Sequence, residues 1–374
     1  MPQVISICVL LEKKGDYNML EVYISDKTLE KIWLEYPDSN WGKILSQLRV
    51  IYISEEQTNE YLNEDGVLWQ IQMAGIQLEP STAYIQGIIN GTESISEKPF
   101  GVFILDIDPA QALKMQKENG VICMSSYKID EDILTLIDPS SKMYDEGEMG
   151  DWKEVLGGVN ASSFISNSLI INDRNLFAND GYKTNRKGEK YEDKTAIYNI
   201  TEMLNEIIPF TLAKPYHISV VCDYECISNG LTHKSIAEKV NKIKRALDRP
   251  FPIEIEILFI KRGDRRITDA THNRRIISNY FILKADHKIC AFKPCNEKQS
   301  VSICGQNISI DKLYSRGLFD KSDPPAKGYK SDLTKYRNII KILTEGENNG
   351  FTNYYLGQNG QEKPITELKN RLLV

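Results

Sequence analysis

Short apolar runs separated by Gly, Asp and Asn fill the first hundred residues. Val4–Leu11, Leu20–Ile24, Lys31–Glu35, Leu48–Ser54, Gly66–Ile76 and Thr82–Ile89 are rich in β-branched and aromatic residues, a pattern that predicts strands with few helices. Gly101–Asp108 is a stronger apolar run. Pro109 behind it suits the first turn of a helix over Ala110–Glu118, Gly120 ends that helix, and Val121–Met124 begins another strand. From Asp138 to Asn160 the chain is rich in Asp, Glu, Gly and Ser, which marks a domain boundary.

Beyond that boundary the periodicity changes. Ser168–Phe177 reads as a strand, Tyr198–Leu212 as an amphipathic helix, Tyr216–Cys222 as a strand and Ser235–Leu247 as a second helix. Ile253–Ile260 is a strand that alternates with Glu254 and Glu256, and Arg275–Leu283 is a further strand. This alternation is the signature of an α/β layer with parallel strands, whose ligands gather at the carboxyl ends. The polar insertion Ala178–Thr195 reads as a mobile loop, and Leu333–Glu345 as a late helix. The expected architecture is α/β, with a β-rich α+β domain over 1–150, a basic α/β domain over 151–320, and a loop, helix and tail over 321–374 that pack on the second domain.

Composition narrows the class. A chain of 374 residues that is 41% hydrophobic and 26% charged is long enough for two domains and is neither disordered nor collagenous. Its apolar stretches are too short to cross a bilayer, so no membrane partner is expected. Met1–Ser6 lacks the basic start of a signal peptide. Seven scattered cysteines, an odd number, argue against a disulfide framework and for a reducing cytoplasm. Cys222-x3-Cys226 with Cys290-x4-Cys295 could form a thiolate zinc set, but their apolar surroundings favour core cysteines, and no metal or other cofactor is expected. The net charge of −6 hides an asymmetry. Residues 1–150 hold 11 basic and 25 acidic side chains, a net of −14, whereas 151–374 hold 35 and 27, a net of +8. The second half should face an anionic partner, and the first should avoid one; the acidic half is instead a candidate surface for a protein partner.

Asp106-x-Asp108, at the end of a strand, has the form of a metal or phosphotransfer site, yet it reads better as a helix cap at Asp108 and surface charge at Asp106. The chain has no Walker-type loop, no G-x-S-x-G and no G-x-G-x-x-G. The densest chemistry lies between two strands, where Lys261, Arg262, Arg265, Arg266, Arg274 and Arg275 place six cations within fifteen residues. Such a loop concentrates positive charge where phosphate binding needs it.

Within that loop, His272-x-Arg274-x4-Asn279 resembles the H-x-K-x4-D motif of the phospholipase D superfamily, with Arg for Lys and Asn for Asp. The resemblance covers about a third of the chain, from roughly Ser168 to Phe292, and implies a phospholipase D-like α/β layer. It also implies a metal-independent phosphodiesterase or nuclease in which His272 attacks phosphorus or donates a proton, Arg274 clamps the phosphate, and Asn279 stands at the carboxylate position. Family members need two motifs and this chain holds one, so the enzyme reading expects a homodimer. The alternatives are a silent module that binds nucleic acid or another phosphodiester through Lys261, Arg262, Arg265, Arg266 and Arg275, or a protein–protein adaptor. A lone domain of this kind beside an unrelated one resembles accessory proteins of bacterial defence or mobile-element loci.

Overall fold

Glu21–Ile24 (β1) leads into Ser25, whose hydroxyl accepts a hydrogen bond from the Thr28 amide at 3.3 Å and caps the helix Asp26–Glu35 (α1). These elements open a computed structural model that describes residues 20–46, 48–54, 66–128, 140–157, 164–178, 181–184, 187–223, 231–260, 274–296, 299–312, 333–338, 340–341, 354–357 and 361–373. Asn40–Leu45 (α2), Val50–Ile53 (β2), Val67–Met73 (α3), Gln77–Pro80 (β3), Thr82–Ile89 (α4), Gly101–Leu105 (β4), Pro109–Asn119 (α5) and Ile122–Ser125 (β5) follow. The five strands are all parallel, in the order β3-β2-β1-β4-β5.

The β-rich expectation for this half is corrected. Lys31–Glu35, most of Gly66–Ile76 and Thr82–Ile89 are helical. In each helix the buried apolar residues recur three apart, Leu29 with Ile32, Leu68 with Ile71, and Ile85 with Ile88. Burial of that face outweighs the β preference of Ile, Tyr and Thr. Val4–Leu11 lies outside the described residues. Helix α5 forms as its punctuation predicts, with Asp108 accepting from the Ala110 amide at 2.8 Å, Pro109 in the first turn and Gly120 at a φ of +60° after the last.

The rest of the chain comprises Ser140–Tyr144 (β6), Trp152–Gly157 (α6), Ser168–Asn172 (β7), Gly181–Thr184 (β8), Lys190–Asp193 (β9), Thr195–Ile207 (α7), Tyr216–Asp223 (β10) and His233–Leu247 (α8). After these come Ile253–Ile260 (β11), Arg274–Ser278 (β12), Phe281–Ala285 (β13), Phe292–Pro294 (β14), Ser300–Ser302 (β15), Gln306–Lys312 (β16), Tyr354–Leu356 (β17) and Glu362–Pro364 (β18). Nine strands form one mixed sheet in the order β18-β17-β11-β10-β7-β12-β13-β16-β6. Its centre, β11-β10-β7, is parallel and is connected through α7 and α8, as the alternation over 168–260 predicts; the flanking strands are antiparallel.

Three local expectations change. Arg275–Leu283 is the hairpin β12–β13, turning at Asn279 and Tyr280, rather than one strand. The insertion Ala178–Thr195 contains the antiparallel pair β8–β9, with Lys183 and Asp193 ion-paired at 2.5 Å. Strand β6 falls within the first 150 residues, yet it pairs with β16 of the large sheet.

Strand alternation divides the interior. Ile218, Val220 and Cys222 with Ile255, Ile257 and Phe259 face a core shared with α7 and α8. On the other face Ile170, Val221, Leu258, Ile260 and Ile277 join a continuous core with β1–β5 and with Ile365, Leu368, Leu372 and Leu373. The two halves are thus welded through one interior.

The weld is sharpest at the amino ends of the parallel strands. Asn279 donates through Nδ2 to the Pro99 carbonyl at 2.7 Å, and its Oδ1 accepts from the amides of Asn167 and Ser168 at 3.1 and 3.2 Å. Asn167 in turn donates to the carbonyls of Ser96 and Asn119, both at 2.9 Å. The Tyr280 hydroxyl donates to the Gly101 carbonyl at 2.5 Å and accepts from the Ile122 amide at 3.1 Å. Gly120 closes against the Ser166 carbonyl where a Cβ would collide.

A strap from Glu362 to Leu373 runs beneath the covered face. Asn370 donates to the Leu169 carbonyl at 2.7 Å, the Lys369 amide donates to Glu256 at 3.3 Å, and Arg371 reaches the Pro215 carbonyl at 3.0 Å and Glu97 at 3.3 Å. His217 lies in this layer with its pKa lowered from 6.5 to about 4, first by burial and then by Arg371. The Glu254 carboxylate, 3.7 Å away, pulls the other way but is shared with Lys369 at 3.6 Å.

Two outcomes follow for stability. Asn279→Ala leaves two amides and a carbonyl unsatisfied and should cost on the order of 3 kcal/mol, read by urea unfolding as a lower midpoint of a single transition common to both halves. Because His217 is neutral when folded and titrates near 6.5 when unfolded, stability should fall as pH drops from about 6.5 to about 4, by up to about 3 kcal/mol. In His217→Gln that part of the acid limb should flatten.

Candidate functional site

At the other end of the large sheet, the carboxyl ends of β7 and β10 lie beside the start of β12. Asn172 stands opposite Val221 on one side and Arg275 on the other. The ladder continues one step further, with the Asp173 amide donating to the Val221 carbonyl at 3.2 Å and the Asp223 amide to the Arg174 carbonyl at 3.1 Å. This edge therefore gathers Asp173, Arg174, Asp223, Arg274 and Arg275. The antiparallel partner of Arg274 is Ala285, so Asp286, His287 and Lys288 leave the sheet at the same edge.

Asp173 is nearly fully buried. Its two oxygens accept from the amides of Asn175 and Ile289, each at 2.9 Å. Burial pushes its carboxyl pKa up, while the two amides, Arg274 and Lys288 pull against that rise. Arg174 keeps a buried Nε that finds no acceptor among the described residues, an arrangement suited to an incoming anion. Arg174, Arg274, Arg275 and Lys288 stand against Asp173, Asp223 and Asp286, a surplus of one cation among the described residues.

The two arginines do not converge. Arg274 shares its face with Ile276, which packs in the α7–α8 core, whereas Arg275 shares its face with Ile277 of the other core. Each can hold a different oxygen or phosphate, but not one phosphate between them.

The sequence-predicted residues distribute unevenly. Lys261, Arg262, Arg265, Arg266 and His272 lie outside the described residues. The chain leaves the sheet at Ile260 and returns at Arg274, both at this edge. Arg274 and Arg275 are brought together with the cluster above. Asn279 is not. It sits at the opposite end of β12, roughly 16 Å along the strand from Arg274, with its amide spent on the weld. Among the other histidines, His217 is buried near the amino end of β10. His233 begins α8, stacked on Phe259 at 5.3 Å with Nδ1 3.3 Å from Glu362, and His287 is exposed beside Lys288. Asp173, Arg174, Asp223 and Lys288 were missed in the sequence, although Asn172-Asp173-Arg174 directly after an apolar strand was a signal for the first two.

The first sheet has its own carboxyl edge. Asp108 caps α5 as expected, but Asp106 is more than surface charge. It accepts from the hydroxyls of Ser25 at 3.2 Å and Thr28 at 3.3 Å, and Asp26 accepts from Ser54 at 2.9 Å, so these carboxylates tie β4, α1 and β2 together. Among the described residues no group of three His, Cys, Asp or Glu side chains could hold a metal ion. Cys222 is buried and the Cys290 thiol donates to the Leu176 carbonyl at 3.6 Å, while Cys226 lies outside the described residues. No helix among the described residues is long and apolar enough to cross a membrane.

No family model matches the chain, and neither a curated protein nor a solved structure matches it. The likeness to the phospholipase D superfamily therefore stands on the motif residues alone.

Asp173 gives the site a structural test. Asp173→Ala, which orphans two buried amides, should lower stability by about 2 kcal/mol or more in urea unfolding, and Asp173→Asn, which keeps one acceptor oxygen, by less.

Proposed function

We propose that this protein binds a phosphodiester ligand at the sheet edge formed by the carboxyl ends of β7 and β10 and the start of β12, through Arg174, Arg274, Arg275 and Lys288, with Lys261, Arg262, Arg265 and Arg266 contributing from the segment between β11 and β12. The observation that carries this reading is the meeting of four cations from three separate segments at one sheet edge, the place where α/β sheets take ligands. Charge-assisted hydrogen bonds from arginine to phosphate oxygens supply affinity without any chemistry on the ligand.

Binding is favoured over turnover by the place of Asn279. In the phospholipase D-like reading Asn279 takes the place of a carboxylate that would hold the motif histidine charged; an amide carries no such charge, and Asn279 follows the far end of β12 from Arg274, bonded to the Pro99 carbonyl and the Asn167 amide. His272 retains a possible catalytic part only if a second histidine meets it, as in a homodimer. The acidic first half stays a candidate surface for a protein partner.

The test is fluorescence anisotropy with a labelled oligonucleotide across a salt series. Wild type should bind with affinity that falls steeply as salt rises, and Arg274→Ala and Arg275→Ala should each weaken it several-fold and lower the salt slope by about one. His272→Ala should bind as wild type does. Cleavage of the oligonucleotide in excess EDTA that disappears in His272→Ala would establish the phosphodiesterase instead.

A further inference from the structure

On the face of the large sheet that carries Arg275, the register draws a straight line of polar side chains. Asn172 stands opposite Arg275, Arg275 opposite Lys284, Lys284 opposite Ser309, and Ser309 opposite Ser141. Because directly paired residues share a face, all five lie in one row across β7, β12, β13, β16 and β6. The neighbouring row toward the amino end of β7 is Ile170, Ile277, Ile282 and Asp311.

The row changes character along its length. Asn172 is buried, Arg275, Lys284 and Ser309 are half-buried, and Ser141 is exposed, as is Met143 on the same strand. Toward β10 and β11 this face is covered by the strap and the first half; toward β6 it opens to solvent. Arg275 and Lys284 stand directly opposite one another. Asp311 of the neighbouring row pairs with Lys284 at 2.5 Å, so the formal charges of Arg275, Lys284 and Asp311 sum to +1. Ser309 and Ser141 add hydroxyls, and Asn307, which accepts from Ser141 at 2.8 Å, adds an amide.

We infer that the ligand of the proposed site is a single strand of nucleic acid whose backbone runs from the Arg274–Arg275 edge along this row toward β6. The inference rests on the phosphodiester-binding reading and names its substrate class. From Arg275 to Ser141 the row spans three strand spacings, about 14 Å, which is too long for one phosphate and suited to successive ones. Arg274 and Arg275, pointing to opposite faces, likewise serve separate phosphates. A sheet face that opens to solvent toward β6 admits an extended strand, whereas a duplex is read by an element inserted in a groove. No aromatic side chain of the described residues stands on this row, so the contacts are to backbone and carry no base preference.

The experiment uses the full chain with a labelled oligothymidylate of about 16 nucleotides, competed by thymidine monophosphate, by a duplex of equal length and by anionic vesicles. The oligothymidylate should bind at least tenfold more tightly than the monophosphate or the duplex competes. Lys284→Gln and Ser309→Asp should each weaken it several-fold, Lys284→Gln also lowering the salt slope by about one, while Asp311→Asn should tighten it. That opposite sign separates charge from misfolding, because Lys284→Gln and Asp311→Asn both break the same ion pair. If the oligothymidylate binds and Arg274→Ala weakens it but the row variants change neither affinity nor slope, this inference fails and the phosphodiester-binding reading stands. Equal competition by monophosphate, or preference for duplex or vesicles, overturns it in the same way. If nothing anionic binds, the underlying reading fails with it.

Discussion

The architecture depends on how the parallel first sheet and the parallel centre of the mixed sheet satisfy the backbone groups at their amino ends. Those ends would otherwise bury unpaired amides and carbonyls, each costing about 1–3 kcal/mol. The β12–β13 turn solves this with side chains. Asn279 serves Pro99, Asn167 and Ser168, while Tyr280 serves Gly101 and Ile122. Ala213 adds a backbone bond to Glu118 at 2.8 Å, and Glu97 draws in Lys214 and Arg371 at 3.2 and 3.3 Å. Since the amino ends are consumed in joining the halves, the carboxyl ends take no part in these bonds and remain where α/β proteins place ligands.

That division explains the charge map better than a domain boundary does. The acidic excess of residues 1–150 and the basic excess of the rest are not held apart by a linker, because one core runs through both. Within the large sheet, Arg174, Arg274, Arg275 and Lys288 lie at one edge because the strand register brings them there, with Arg274 and Arg275 on opposite faces. The carboxylates that the first sheet offers at its own edge, Asp26 and Asp106, are engaged by Ser54, Ser25 and Thr28.

Much of this was legible where the signals are local. Helix α5 is announced by Asp108, Pro109 and Gly120, and the β7–α7–β10–α8–β11 unit by long amphipathic stretches between apolar strands. Helices α1, α3 and α4 were not legible, since seven to ten residues with two buried aliphatic side chains each resemble a strand in isolation. The hairpin turn was hidden because Ser278-Asn279-Tyr280 lacks a glycine and interrupts the apolar run Ile276–Leu283 only briefly; its reason lies in partners more than a hundred residues away. Arg274 and Arg275 were legible from charge density alone. Asp173, Arg174 and Lys288 were not, because only the sheet register makes them neighbours.

The pairing of β6 with β16 has a kinetic side. Ser141 and Asn307, bonded across that edge, are 166 residues apart in the chain, a separation that delays closure of the last ladder. Until β16 arrives, β6 offers unpaired backbone on both edges, with Met143 exposed even in the finished fold. Any state in which β16 has not yet docked carries an open strand able to pair with another chain. Its vulnerable moment lies before the sheet is complete.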